Sequence, residues 1–202
     1  MDTQELQERL KRWADGCLGT DVTIRGVTVG TMLMDEALHF LRIGTFLERA
    51  DNTARLLDVK FHALIGEAAG DYFGSTAKET QEVDFYHWSA ILRSVSGFEI
   101  YRKVYRNVIR PERVAELLIL RPDMPRSLAA CVNEVVANLE HVANSQSSET
   151  RRRAGRLRSD LQYGLIDEIL ATGLHAYLTQ FLDRVNDLGV GISRDFLVPM
   201  AA

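Results

Sequence analysis

The segment FLERADNTARLLDV, Phe46 to Val59, sets Glu48, Arg49, Asn52 and Arg55 among apolar residues. At about 100° per residue, Glu48, Asn52, Arg55 and Val59 fall together on one side of a helix. That side lies well over a right angle from the stripe Phe40, Ile43, Leu47, Ala50, Ala54, Leu57, Phe61 and Leu64, whose steps of three and four mark a core face. One chemistry for such a group is a polar pocket: Arg49 or Arg55 holds a carboxylate or phosphate while Glu48 accepts a proton or an amine. A second reading is a solvated face whose helix ion pairs contribute about 0.2–0.5 kcal/mol each. A third is a buried network joining two helices, fully paired because an unpaired buried charge costs several kcal/mol. The residue types alone leave all three open.

Two further groups have the composition of a site. Glu36-Ala-Leu-His39 and Asp84-Phe-Tyr-His87 have the spacing of carboxylate-histidine pairs in di-metal helical proteins. Such a site also needs carboxylates from two other helices, which no spacing here supplies, and Asp84 sits where a helix start is expected. The metal reading of Glu36, His39, Asp84 and His87 is therefore the weaker one, and no cofactor is expected. The run RRRAGRLR makes Arg151, Arg152, Arg153 and Arg156 the densest charge in the chain. It reads as a solvated helix face or as a docking patch for an acidic partner or a phosphate. His175, in an apolar stretch, reads as a hydrogen-bonded interior residue. No Gly-rich phosphate loop and no spaced serine or cysteine nucleophile occurs.

The elements that must position these groups are helical. The 202 residues hold 46% apolar side chains and four prolines, at 111, 122, 125 and 199, which leaves long intervals free to form helices. Apolar spacing predicts helices over about 3–14, 34–65, 84–108, 111–120, 124–142, 150–163 and from 166 onward. Asp123 is the expected cap of the fifth of these. The glycine-rich stretch 16–33 reads as a loop, and the small, polar stretch 66–83 as a mobile connection. Six to seven striped helices with short links imply an all-α helical bundle in a single domain. FLERADN at 46–52 and FLDRVND at 181–187 share an arginine after Phe-Leu-acid, as if two helices used one device.

Net charge is −4, so there is no general attraction to nucleic acid or to an anionic membrane. No run of about 18 apolar residues offers a membrane span. Two cysteines, Cys17 and Cys131, suit a reducing compartment as small buried hydrophobes, and a cytoplasmic protein is expected.

RIGTFLERADNTARLLDVKFHAL resembles the signature of the alpha-E family, bacterial all-helical proteins also catalogued as a domain of unknown function. SAILRSVSGFEIYRKVY, LRPDMPRSL and DEILATGLHAYLTQFLDRVNDLG extend the resemblance from about Val27 to Val198. Members are usually longer, with an earlier copy of the signature helix, so the chain resembles the carboxy-terminal two thirds, as a truncated or short member. Thr45 stands where the family often has arginine. The resemblance implies company with circularly permuted ATP-grasp ligases and transglutaminase-like proteins. It implies a role in making or processing an amide-linked peptide, and no mechanism. Whether the chain is an enzyme stays open. The expected role is a non-catalytic partner or scaffold; the alternative is an enzyme of the same pathway using the Glu48, Asn52 and Arg55 pocket.

Overall fold

The computed structural model describes residues 32–70, 77–106 and 108–197, with side chains described at 32–58, 85–106 and 108–196. The chain divides into two compact units, Met1–Leu38 and His39–Ala202, where the sequence suggests one. In the first, the described residues 32–38 lead into a helix whose start is capped: Leu38 N–H donates to Asp35 Oδ1 at 3.1 Å. The helix expected at 3–14, Cys17 and nearly all of the loop expected at 16–33 lie outside the described residues.

Eight α-helices and a terminal π-turn make up the described chain: α1 Glu36–Gly70, α2 Ala77–Ser94, α3 Phe98–Tyr105, α4 Pro111–Ile119, α5 Leu128–His141, α6 Ser148–Tyr163, α7 Ile166–Thr172, α8 Leu174–Ile192 and the π-turn Ser193–Leu197. There is no strand among the described residues, and the fold is all-α. The count exceeds the expected six to seven because two long helices are broken. Val95 to Gly97 separates α2 from α3, with Ser96 at φ 53°. Gly173, at φ 99°, separates α7 from α8, a backbone conformation that only glycine adopts without strain.

Three boundaries depart from the expectations. Helix α1 runs through Gly66 to Gly70, because one glycine inside a helix costs only about 1 kcal/mol against alanine and does not stop it. Helix α2 starts at Ala77, so Asp84 lies inside a helix and not at its start. The connection expected over 66–83 is therefore helical at 66–70 and 77–83. Helix α5 is capped by Ser127, whose Oγ accepts from Ala130 N–H at 3.0 Å, while Asp123 pairs with Arg121 instead. Pro111 does open α4, after an extended Arg110, as a first-turn proline should.

The core of the second unit joins every one of its helices. Ile43, Ala50, Ala54 and Leu57 come from α1, Trp88, Ile91 and Leu92 from α2, and Tyr101 from α3. Leu128, Val132, Val135 and Leu139 supply the α5 stripe, and Leu174, Leu178, Phe181, Val185 and Leu188 that of α8. Cys131 is buried among them, and burial pushes its thiol up to about 12, so it behaves as a small hydrophobe. Among the described residues, no helix is long and apolar enough to cross a membrane.

Candidate functional site

The polar residues of α1 split into two directions. One set faces α5 and the loop before it. His39 Nδ1 lies 2.8 Å from Asn138 Oδ1, and its ring stacks on that of His141 with centroids 4.5 Å apart. One turn on, Arg42 reaches Glu134 at 2.8 Å. Further along, Arg49 donates to the Pro125 carbonyl at 3.4 Å and lies over the Phe46 ring, and the Thr53 hydroxyl donates to the Arg126 carbonyl at 3.0 Å. The partners fall from 138 to 134 to 125 as α1 advances from 39 to 42 to 49, so the seam is antiparallel.

The loop that receives Arg49 and Thr53 is itself fixed. Ser127 Oγ donates to the Arg121 carbonyl at 2.5 Å, Arg121 pairs with Asp123, and the Met124 side chain is buried. Both carbonyls are thereby held toward α1. RADNT and RPDMPRS, far apart in sequence, meet in space. Replacing Thr53, only 3% exposed, with valine should lower stability by about 0.5–1.5 kcal/mol through the lost hydrogen bond; denaturant melts measure it.

The other set faces away. Glu48 and Asn52 are exposed, and Arg55 grips Asp51 through two hydrogen bonds of 2.7 and 3.0 Å, one turn back along its own helix. The hydrogen bond to Asp51 raises the Arg55 guanidinium further above its usual range. Glu48, Arg49, Asn52 and Arg55 thus do not converge: Arg49 turns to the α5 loop and the other three stay on the outer face. A neighbouring pair escapes any reading by local spacing. His175 on α8 places Nδ1 2.6 Å from Asp58 Oδ1, a contact across 117 residues. His175 is half-exposed rather than interior, since it sits in the first turn of α8.

The sequence model of one family, described as a predicted alpha-helical domain with a conserved ER motif, matches residues 2–197. The chain belongs to the Alpha-E family. The match begins well before Val27, so it takes in the amino-terminal segment as well as the seam. No curated protein and no solved structure matches. Glu-Arg occurs three times in this Alpha-E chain, at 8–9, 48–49 and 112–113. Of the two described pairs, Glu48-Arg49 sends its arginine to the α5 loop, and Glu112-Arg113 sends its arginine to Glu116 at 2.7 Å and over the Tyr105 ring. In both, the arginine is held and the glutamate is exposed.

The arginine run of the Alpha-E chain lies on α6. Arg152 and Arg153 both bind Glu149, at 2.8–2.9 Å, and these hydrogen bonds hold its carboxyl down at about 2. Arg153 and Arg156 also line a groove between α6 and α8, and Arg151 is half-buried at the helix start. The FLDRVND segment of α8 echoes FLERADN in one respect: Arg184 leaves its helix to bind Asp160 at 2.7 Å, as Arg49 leaves α1.

Glu36 is exposed, His39 is bonded to Asn138, and the Asp84 side chain lies outside the described residues. Among the described residues, no three of His, Cys, Asp or Glu are placed to hold a metal ion.

At the far end of α8 the π-turn is latched to α6. The Asp195 carboxylate, 5% exposed, accepts from the Thr150 hydroxyl at 2.5 Å and pairs with Arg194 at 2.8 Å. Asn144 Nδ2 donates to the Asp195 carbonyl at 3.1 Å. Burial raises the Asp195 carboxyl, but the bonds from Thr150 and Arg194 outweigh it and leave it below the ordinary value of 3.8. A depressed acid contributes its stability above the unfolded value and loses it as pH falls through the folded one. The advantage of the wild type over Asp195→Asn should therefore be full at neutral pH and shrink below the ordinary value of 3.8; denaturant melts across an acid series measure it.

Proposed function

We propose that this Alpha-E chain is a non-catalytic helical partner, or scaffold, that works with an ATP-grasp ligase in making or processing an amide-linked peptide. The observation that carries this reading is the use of Arg49. The arginine of the signature helix is occupied in holding α1 to the α5 loop, where it meets a backbone carbonyl at 3.4 Å and the Phe46 ring. Glu48 and Asn52, exposed beside the Asp51–Arg55 pair, then form a polar surface suited to contact with another protein. Such surfaces act through complementary charge and set specificity. The partner classes, an ATP-grasp ligase and a transglutaminase-like protein, come from the Alpha-E resemblance, as does a bacterial setting; the cytoplasmic setting comes from the two isolated cysteines.

Co-purification with an ATP-grasp ligase encoded beside an Alpha-E protein tests the reading. The pair should elute together, and Glu48→Ala with Asn52→Ala should weaken the complex while leaving the melting temperature of the chain within the small range of surface changes, about 0.5 kcal/mol. Arg49→Ala should instead lower stability by up to about 1 kcal/mol, since its bond is long. Separate elution, or loss of folding in the Glu48 and Asn52 variant, overturns the proposal. A second reading, an enzyme of the same pathway, is favoured by the Asp58–His175 pair, in which a carboxylate orients an imidazole as it would a general base. His175→Ala abolishing turnover by the isolated chain would decide for it.

A further inference from the structure

The groove between α6 and α8 has a volume of about 680 Å³, within the range of small-ligand sites. Arg153, Arg156 and Asp160 line it from α6, and Tyr177, Arg184 and Asp187 from α8. Leu157 and Leu188, both buried, give it an apolar floor. Two contacts set the register of its walls. A Cβ on Gly191 would lie 2.6 Å from Thr150 Oγ1, and Arg184 binds Asp160 at 2.7 Å. The helices therefore run antiparallel, and the same register brings Asp187 abreast of Arg156.

The charges in the groove are not equally engaged. Arg153 is held by Glu149 and Arg184 by Asp160. Arg156 and Asp187 each have no ion-pair partner among the described residues, although they are opposite in charge and abreast, with the groove between them. We propose that this groove binds a small zwitterion, a free amino acid or short peptide, with its carboxylate on Arg156 and its ammonium on Asp187. A guanidinium fork matches a carboxylate through two parallel hydrogen bonds, and an ammonium is met by a carboxylate. Asp160 and Asp187 in the same groove disfavour a plain anion such as phosphate, which the arginines alone would attract. Tyr177, whose phenol burial pushes up to about 12, stays protonated and supplies a neutral donor beside the floor. The inference goes beyond the partner role and does not depend on it, because the groove belongs to the isolated chain.

Isothermal titration of the full chain tests it, with trialanine, N-acetyl-trialanine, trialanine amide and inorganic phosphate as probes. Trialanine should bind saturably with a Kd of about 1 mM or tighter, and either capped form should bind at least roughly tenfold more weakly. Arg156→Ala should weaken trialanine by a similar factor and leave trialanine amide unchanged; Asp187→Asn should do the same for the acetylated form. Both positions are exposed, so thermal melts should show folded variants. No saturation by trialanine at about 10 mM, phosphate binding as tightly as trialanine, or variants that bind trialanine like the wild type would each overturn the proposal.

Discussion

Tyr101→Ala should destabilise the chain by about 3–5 kcal/mol, the range for deleting a buried aromatic side chain. Tyr101 is fully buried at the centre of α3, and its hydroxyl works as a two-way clamp on the link into α4. It donates to the Val108 carbonyl at 3.2 Å and accepts from Arg110 N–H at 3.0 Å. The described link residues 108–110 are not helical, and Arg106 before them sits at φ 52°. The Val108 carbonyl and the Arg110 N–H are therefore paired by a side chain rather than by a helix ladder. Tyr101→Phe isolates this role from packing and should cost about 0.5–1.5 kcal/mol. Denaturant melts of the three proteins separate the two contributions; a phenylalanine variant as stable as the wild type would show that the clamp contributes nothing.

Gly191→Ala should cost about 1–3 kcal/mol, through overpacking. The new methyl group would meet Thr150 Oγ1 at 2.6 Å, and Thr150 has no room to retreat, since it is 2% exposed and its hydroxyl is held by Asp195. Moving the hydroxyl also breaks the latch on the π-turn, so one methyl group acts on two interactions. Thr150→Ala alone should cost about 1–3 kcal/mol, because it leaves a buried carboxylate short of a donor. The double variant should be more stable than the sum of the singles by at least about 0.5 kcal/mol, as expected of residues in contact. Simple additivity would mean that Gly191 and Thr150 are not in the contact described.

The legible parts of the fold were those written in local periodicity. The stripes Ile43, Ala50, Ala54, Leu57 and Leu128, Val132, Val135, Leu139 are buried as spacing demands, because a helix core face repeats every few residues. The breaks were harder. Ser96 and Gly173 interrupt patterns whose apolar period continues across them, so the stripe hides the corner. Among candidate groups, sequence geometry correctly set Glu48, Asn52 and Arg55 apart from the core stripe, as their exposure requires. It missed that Arg55 prefers Asp51, an acid four residues back that the chosen face left out. Arg49 with Pro125, and His175 with Asp58, are pairings across 76 and 117 residues that no local rule contains. The resemblance quoted both segments of the seam, yet only the fold shows that they touch.

The histidine stack on the seam has a chemical consequence at the level of single protons. Asn138 Nδ2 donates to the Glu134 carbonyl at 2.7 Å, so Asn138 must present its oxygen to His39. His39 then carries its hydrogen on Nδ1, and His141, whose Nδ1 faces the Ala137 carbonyl at 2.8 Å, does the same. In both stacked imidazoles the hydrogen is thus placed on Nδ1, facing an oxygen. In nitrogen NMR both rings should show a hydrogen on Nδ1; His39, whose acceptor lies across the seam, should lose that signature when the seam opens, while His141, bonded within its own helix, keeps it.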